Sequence, residues 1–109
     1  HFQFLSRARD AAKEPPTEIE RLLFDSFGGG DANENESEFL AVCCREFACY
    51  VWNIKQRKME TVLMNDSKPT EYIFRDCVFM QDEEHGDRYF ICAVNGVRRS
   101  RLETVLMND

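Results

Sequence analysis

The 109-residue sequence predicts an all-β fold. Its apolar residues occur in short runs rich in aromatic and β-branched side chains, separated by polar segments such as NDSKPT and DEEHGD, which is typical of strands joined by turns. Two of these runs, FLAVCC and YFICAV, are apolar at every position, so both faces of those strands are expected to be covered. The segment ETVLMND occurs twice, at 60–66 and at 103–109, which indicates two related structural units.

The apolar runs predict the strands in chain order. They are EFLAVCC (38–44), ACYVWNI (48–54), ETVLM (60–64), EYIFRDCVFM (71–80) and RYFICAV (88–94). Asn95-Gly96 then gives a strong signal for a tight hairpin turn, so the second copy of the repeated segment is expected to form the returning strand.

The repeat distance favours one all-β arrangement. Four-stranded blades of WD-repeat β-propellers recur every 40–45 residues or so, roughly the spacing of the two copies. We therefore expect a fragment of a WD-repeat-like β-propeller with about two blades. Its parts are an incoming strand and linker over 1–18, a first blade over 19–66 and a second, incomplete blade over 67–109.

An ungapped offset of 43 residues aligns the two blades. It pairs Cys49 with Cys92 and keeps a strand, a basic turn and a strand in step, but it sets Asn53 against Gly96. The identity of the seven repeated residues is far better than the similarity around them. We therefore interpret the exact copying as a recent duplication or an artefact rather than as a requirement of packing.

The segment PPTEIERLLFDSFGGG (15–30) has two interpretations. Thr17 and Glu20 have the spacing of a helix capping box, so the alternative is a small independent cytosolic interaction or regulatory domain with an α+β fold and a helix at 17–27. In the propeller, IERLLFDSF is an inner strand, and GGGDANENES (28–37) is a long solvated turn. The strand is preferred because a helix has no place in a blade.

Composition and cysteine usage narrow the function. A net charge of −6 disfavours nucleic-acid binding, and no apolar run approaches the ~20 residues that span a bilayer. Five cysteines are an odd number and lie in strand-like runs, so they are predicted to be reduced core residues in a cytosolic-type compartment rather than a disulfide framework or a zinc site: Cys43, Cys44, Cys49, Cys77 and Cys92.

No motif predicts catalysis. The sequence lacks a Gly-x-Ser-x-Gly elbow, a Walker loop and a His-Glu-x-x-His pair, so no catalytic, cofactor-binding or metal-binding residue is assigned, and the partner-binding residues are unknown. Six cations are interpreted as solvated hairpin turns, with a patch for anionic lipid or an acidic partner as the alternative: Lys55, Arg57, Lys58, Arg98, Arg99 and Arg101. An acidic group lacks the spacing of a calcium loop and is interpreted as a turn: Asp82, Glu83, Glu84, His85 and Asp87.

A family resemblance covers most of residues 17–101. CREFACYVWNIKQRKMETVL resembles a strand, turn and strand of WD-repeat proteins, with Trp52-Asn53 where Trp-Asp usually stands. With EIERLLFDSF before it and YIFRDCVFMQDEEHGDRYFICAVNGVRRSR after it, the chain resembles the prolactin regulatory element-binding protein family. The resemblance implies a propeller on the cytosolic face of the endoplasmic reticulum that exchanges guanine nucleotide on the Sar-type small GTPase of COPII vesicle transport.

The chain also departs from that family. The family's catalytic contribution comes from a glycine-rich, potassium-binding loop near the N-terminus, whereas GGGDANENES lacks a following basic residue and is interpreted as an acidic turn. No catalytic residue carries over, and a membrane anchor would belong to a parent protein. Because propellers close with roughly four to eight blades, the isolated chain is expected to self-associate.

Trp52 is expected to be structural rather than a ligand platform, because it lies beside a predicted buried face. Replacing it by Ala in the intact parent domain should lower the free energy of unfolding by about 3–5 kcal/mol, as measured by thermal unfolding. An unchanged melting temperature together with lost partner binding would contradict this role.

Overall fold

The computed structural model describes residues 18–65 and 72–108, which form two antiparallel β-sheets. Sheet A contains four strands in the order of the chain: Ile19–Phe24 (β1), Phe39–Cys44 (β2), Ala48–Asn53 (β3) and Lys58–Met64 (β4). Sheet B contains three: Ile73–Gln81 (β5), Arg88–Asn95 (β6) and Ser100–Leu106 (β7). The prediction of an all-β fold is confirmed, and each sheet is a simple meander.

The segment after residue 17 is a strand, and the alternative helix at 17–27 is wrong. β1 pairs antiparallel with β2, with Leu22 opposite Val42 and Phe24 opposite Leu40. This pairing satisfies the backbone groups of β1 along a neighbouring strand, which a local helix cap does not do. Within the described residues there is no helix long and apolar enough to cross a membrane.

The predicted strands agree with the structure to within a few residues at each end. Two predictions fall partly outside the described residues: the incoming strand and linker over 1–18, and the beginning of the strand at 71–80. Residues 28–37 form turns and bends between β1 and β2, as expected for GGGDANENES.

The main core lies between the two sheets, which pack face to face. Sheet A contributes Phe39, Ala41, Cys43, Cys49 and Val51, and sheet B contributes Phe74, Cys77, Phe90, Cys92 and Val94. Successive side chains of a strand point to opposite faces, so β2, β3 and β6 present every second residue to the opposing sheet, while a register shift in β5 separates Phe74 from Cys77 by three positions. The core is therefore built from one face of each sheet.

The far face of sheet A is also buried. It holds a second apolar cluster of Val42, Cys44, Ala48 and Tyr50, with Trp52 partly buried against it. The expectation that both faces of FLAVCC are covered is confirmed for β2. In β6 burial alternates instead, so YFICAV has one fully buried face and one half-buried face.

Arg88 joins the two sheets with a polar contact at the edge of the core. Its guanidinium lies 2.9 Å from Glu38 Oε1 and sits over the rings of Phe27 and Phe39. Both charged side chains are mostly buried, so the pair is more shielded from water than a surface ion pair. A cation over an aromatic face adds an attraction to the apolar contact.

Asp25 fixes the junction of β1 with the turn that follows it. Its carboxylate is buried and accepts backbone N–H bonds from Phe27, Glu38 and Phe39 at 2.6–2.9 Å. The side chain thus links the end of β1 to the beginning of β2 across the turn. Hydrogen bonds to a charged acceptor are among the stronger ones in proteins.

Replacing Asp25 by Ala should lower the free energy of unfolding by about 2–4 kcal/mol, because three backbone donors lose their acceptor in a buried place. Chemical denaturation measures the change. Asp31→Ala is the matched control, since Asp31 is exposed in the same turn and should change the stability by less than about 0.5 kcal/mol. Equal effects of the two changes would contradict this role.

Candidate interaction face

The face of sheet B that points away from sheet A is apolar. The strand register places Val78 beside Ile91, Met80 beside Tyr89, and Leu106 on the other side of Tyr89. We call this surface the outer face of sheet B. It comprises Ile73, Asp76, Val78, Met80, Tyr89, Ile91, Ala93, Asn95, Ser100, Leu102, Thr104 and Leu106.

Several large apolar side chains of this face are exposed to solvent. Leu102 is 67% exposed and Leu106 is 56% exposed, and the face holds five of the nine large hydrophobic side chains that are exposed in the described residues. Its one charged member, Asp76, is paired with Arg21 of sheet A at 3.3 Å. A contiguous exposed apolar patch marks an interaction site more often than an isolated exposed leucine does.

The repeated segment explains why this face is apolar. In β4, Leu63 packs against the core between the sheets, and Val62 packs against the cluster on the far face of sheet A. In β7 the orientation is reversed: Val105 packs against the shared core and Leu106 points outward. The shared core therefore receives the leucine of the repeated segment from sheet A and the valine from sheet B.

The β3–β4 and β6–β7 hairpins show which residues of the two sheets correspond, and they correct the ungapped alignment at an offset of 43 residues. Asn53 pairs with Lys58 across the first turn and Asn95 pairs with Ser100 across the second, so these hairpins correspond at an offset of 42 residues. Glu103 follows Asn95 by eight positions whereas Glu60 follows Asn53 by seven, so the repeated segments themselves lie at an offset of 43. The alignment of Cys49 with Cys92 is thus wrong by one residue, which in a strand exchanges the two faces.

It follows that the two sheets are stacked in the same sense. The face of sheet A that covers sheet B corresponds to the outer face of sheet B, which the described residues leave open. The outer face of sheet B is therefore equivalent to a face that, in this same structure, already packs against a β-sheet.

The basic residues of the two hairpin turns are partly used in local contacts. Lys58 pairs with Glu60 at 3.8 Å, and Arg101 pairs with Glu103 at 3.2 Å and lies over the ring of Tyr72. Lys55, Arg57, Arg98 and Arg99 are exposed in the turns. This agrees with solvated hairpin turns.

The acidic segment 82–87 is a turn, as predicted. Asp82 accepts backbone N–H bonds from Glu84 and His85, and the ring of His85 lies 2.8 Å from its other carboxylate oxygen. This hydrogen bond with His85 lowers the pKa of Asp82. Ligand atoms of Asp82, Glu84 and His85 come within 4.8 Å of one another, but the group is exposed and its contacts are those of an Asp-capped turn.

The glycine-rich segment 28–37 is organised by its own side chains. Asn33 Oδ1 accepts N–H bonds from Asn35 and Glu36, and the Glu36 carboxylate accepts the N–H of Asp31. These contacts describe a self-capped acidic turn.

Asn53, at the end of β3, stands where the resemblance to WD-repeat proteins leads one to expect Asp, and it is fully buried. Its side-chain amide donates to Glu38 and Glu60, and its side-chain carbonyl accepts the Gln56 N–H.

Comparison with protein-family models, with curated proteins and with solved structures gave no match.

Leu63 and Leu106 offer a matched test of the reversed faces, because they occupy the same position of the repeated segment. Leu63→Lys should lower the free energy of unfolding by about 2–4 kcal/mol, since it places a charge against the core. Leu106→Lys should change it by less than about 1 kcal/mol, because that side chain is mostly exposed. Denaturation at low protein concentration measures both. A larger loss for Leu106→Lys would contradict the assigned orientation.

Proposed function

We propose that this chain is a protein-interaction segment of a WD-repeat-like β-propeller, in which the outer face of sheet B receives a further β-sheet. The observation that carries the proposal is the equivalence of this open face to the face of sheet A that covers sheet B. Consecutive antiparallel meanders stacked in one sense are the repeating unit of a propeller.

The chemistry of the face supports a β-sheet as its occupant. Its side chains are mainly aliphatic with one tyrosine, and its single carboxylate is paired within the chain. Packing an apolar sheet face on another removes such side chains from water and leaves no charge unpaired.

A narrower form of the proposal rests on the family resemblance alone. In that form the parent protein is a guanine-nucleotide exchange factor for a Sar-type small GTPase at the cytosolic face of the endoplasmic reticulum. Residues 28–37 form a self-capped acidic turn, so the segment would contribute a partner surface rather than the catalytic loop.

Light scattering on the purified chain tests the main proposal. The wild-type chain should have a mass above 12.8 kDa because its open face pairs with other copies, and a Leu102→Lys, Leu106→Lys double variant should return to 12.8 kDa with an unchanged melting temperature. A wild-type chain that is a stable monomer with sharp thermal unfolding would contradict the proposal that the chain is a segment of a larger propeller.

The narrower form is tested with a nucleotide-free Sar-type GTPase. The double variant, tested as a monomer, should bind the GTPase without accelerating nucleotide release. Accelerated release would show that the exchange surface lies within this segment, and absence of binding would remove the GTPase from the proposal while leaving the propeller segment standing.

A further inference from the structure

Four of the five cysteines meet in the core between the two sheets. Cys43 lies directly opposite Cys49 across β2 and β3, and Cys77 lies directly opposite Cys92 across β5 and β6. The two pairs face each other, and the Sγ atoms of Cys43 and Cys77 are 3.8 Å apart. All four are free thiols, as the sequence predicted.

The sheets are held together closely at this corner of the core. The Phe74 N–H donates to the Arg45 carbonyl at 3.0 Å, and Arg21 pairs with Asp76 at 3.3 Å. These contacts join β5 to the ends of β1 and β2 only a few residues from the two sulfur atoms. Facing sheets normally lie about 10 Å apart, whereas a disulfide needs Cα atoms within about 7 Å. A direct backbone hydrogen bond between the sheets brings the two backbones closer together at this corner than that usual spacing. A disulfide between the sheets is therefore expected at this corner rather than in the middle of the core.

Both sulfurs lie in the core between the sheets, so an oxidant must reach them between the sheets rather than from the outer face of sheet B. Cys77 is 7% exposed and Cys43 is fully buried. The register of β5 shifts between Phe74 and Asp76, beside Cys77, which interrupts the regular pairing there. The oxidant that reaches this pair must therefore be small, and a hydroperoxide is the class of small oxidant that forms a sulfenic acid on a thiol.

We propose that Cys43 and Cys77 are a redox modification site, at which a hydroperoxide oxidant forms a disulfide that joins sheet A to sheet B. The Cys43 thiolate attacks one peroxide oxygen, the O–O bond breaks, and the departing hydroxide takes up the proton that the thiol released, giving water and a sulfenic acid on Cys43. The Cys77 sulfur then attacks the Cys43 sulfur and the S–O bond breaks. The Cys77 thiol proton passes to the released hydroxide to give a second water, so two thiols lose two electrons and the peroxide gains them.

The surroundings of Cys43 suit it to the first step. Hydrogen bonds from the thiols of Cys49 and Cys77, with the nearby guanidinium of Arg21, lower the pKa of Cys43 below its usual range. The hydrogen bonds with Cys43, together with burial, raise the pKa of Cys49 and of Cys77. Of these three thiols, Cys43 is therefore the one that reacts most readily as a thiolate, which is the form that attacks a peroxide.

The consequence of the bond is a covalent tie between sheets that are otherwise joined by packing. It would link residues 34 positions apart, on the second strand of sheet A and the first strand of sheet B. In a reducing compartment the pair remains as thiols, and under peroxide the two sheets become one cross-linked unit.

Peptide mapping after peroxide treatment tests the proposal. The folded chain is treated with hydrogen peroxide, blocked with an alkylating reagent, digested with trypsin without reduction and analysed by mass spectrometry. Cleavage after Arg21, Arg45, Arg75 and Arg88 separates Cys43, Cys49, Cys77 and Cys92 into four peptides, Cys44 remaining with Cys43. The expected product joins peptide 22–45 to peptide 76–88, with the loss of two hydrogens, and dithiothreitol reverses it.

Two control variants identify the sulfur atoms. Cys44→Ala should leave the linked peptide pair unchanged, because Cys44 belongs to the cluster on the far face of sheet A. Cys43→Ser should abolish it even though Cys44 remains in peptide 22–45, and circular dichroism checks that this variant is folded. A linked pair that persists in Cys43→Ser, a dominant Cys43–Cys49 or Cys77–Cys92 product in the wild-type chain, or no linked product at all would overturn the proposal.

Discussion

Every sheet has two faces, and in this chain only one face of each can be covered by the other sheet. That constraint governs the structure. Sheet A and sheet B each bury one face in the shared core, and the buried Arg88–Glu38 contact closes one side of it. The remaining faces differ: the cluster around Val42 and Tyr50 is buried, whereas the outer face of sheet B is open. Because the two meanders are stacked in one sense, the face of sheet B that is left open is the equivalent of the face that sheet A buries.

The strands could be predicted from the sequence because their apolar content is local. Runs such as FLAVCC and YFICAV are bounded by turn residues, and no distant contact is needed to recognise them. Segment 17–27 was ambiguous because the helix signal from Thr17 and Glu20 is also local. The strand is formed instead by pairing with β2, whose residues lie about twenty positions away in the sequence. The role of Asp25 was not foreseen for the same reason, since two of its three donors come from residues 38 and 39.

The candidate face was harder to predict than the strands. Its residues alternate with core residues along β5, β6 and β7, and the sequence of YFICAV indicated that both faces of β6 would be covered. One signal was available: the identical leucines of the repeated segment. Interpreting it required the correspondence of the two hairpins at an offset of 42 residues, which an ungapped comparison at the 43-residue offset of the repeated segment does not give.

The contact between the sheets joins two different faces, so it is heterologous. A heterologous contact does not saturate as a two-fold contact does: repetition either returns to the first unit and closes a ring, or continues as a fibre. The rotation between successive sheets decides between these outcomes, and the side chains that fill the core set that rotation. Substitutions that alter the size of core residues such as Phe90 or Val51 would thus act on the geometry of assembly as well as on stability.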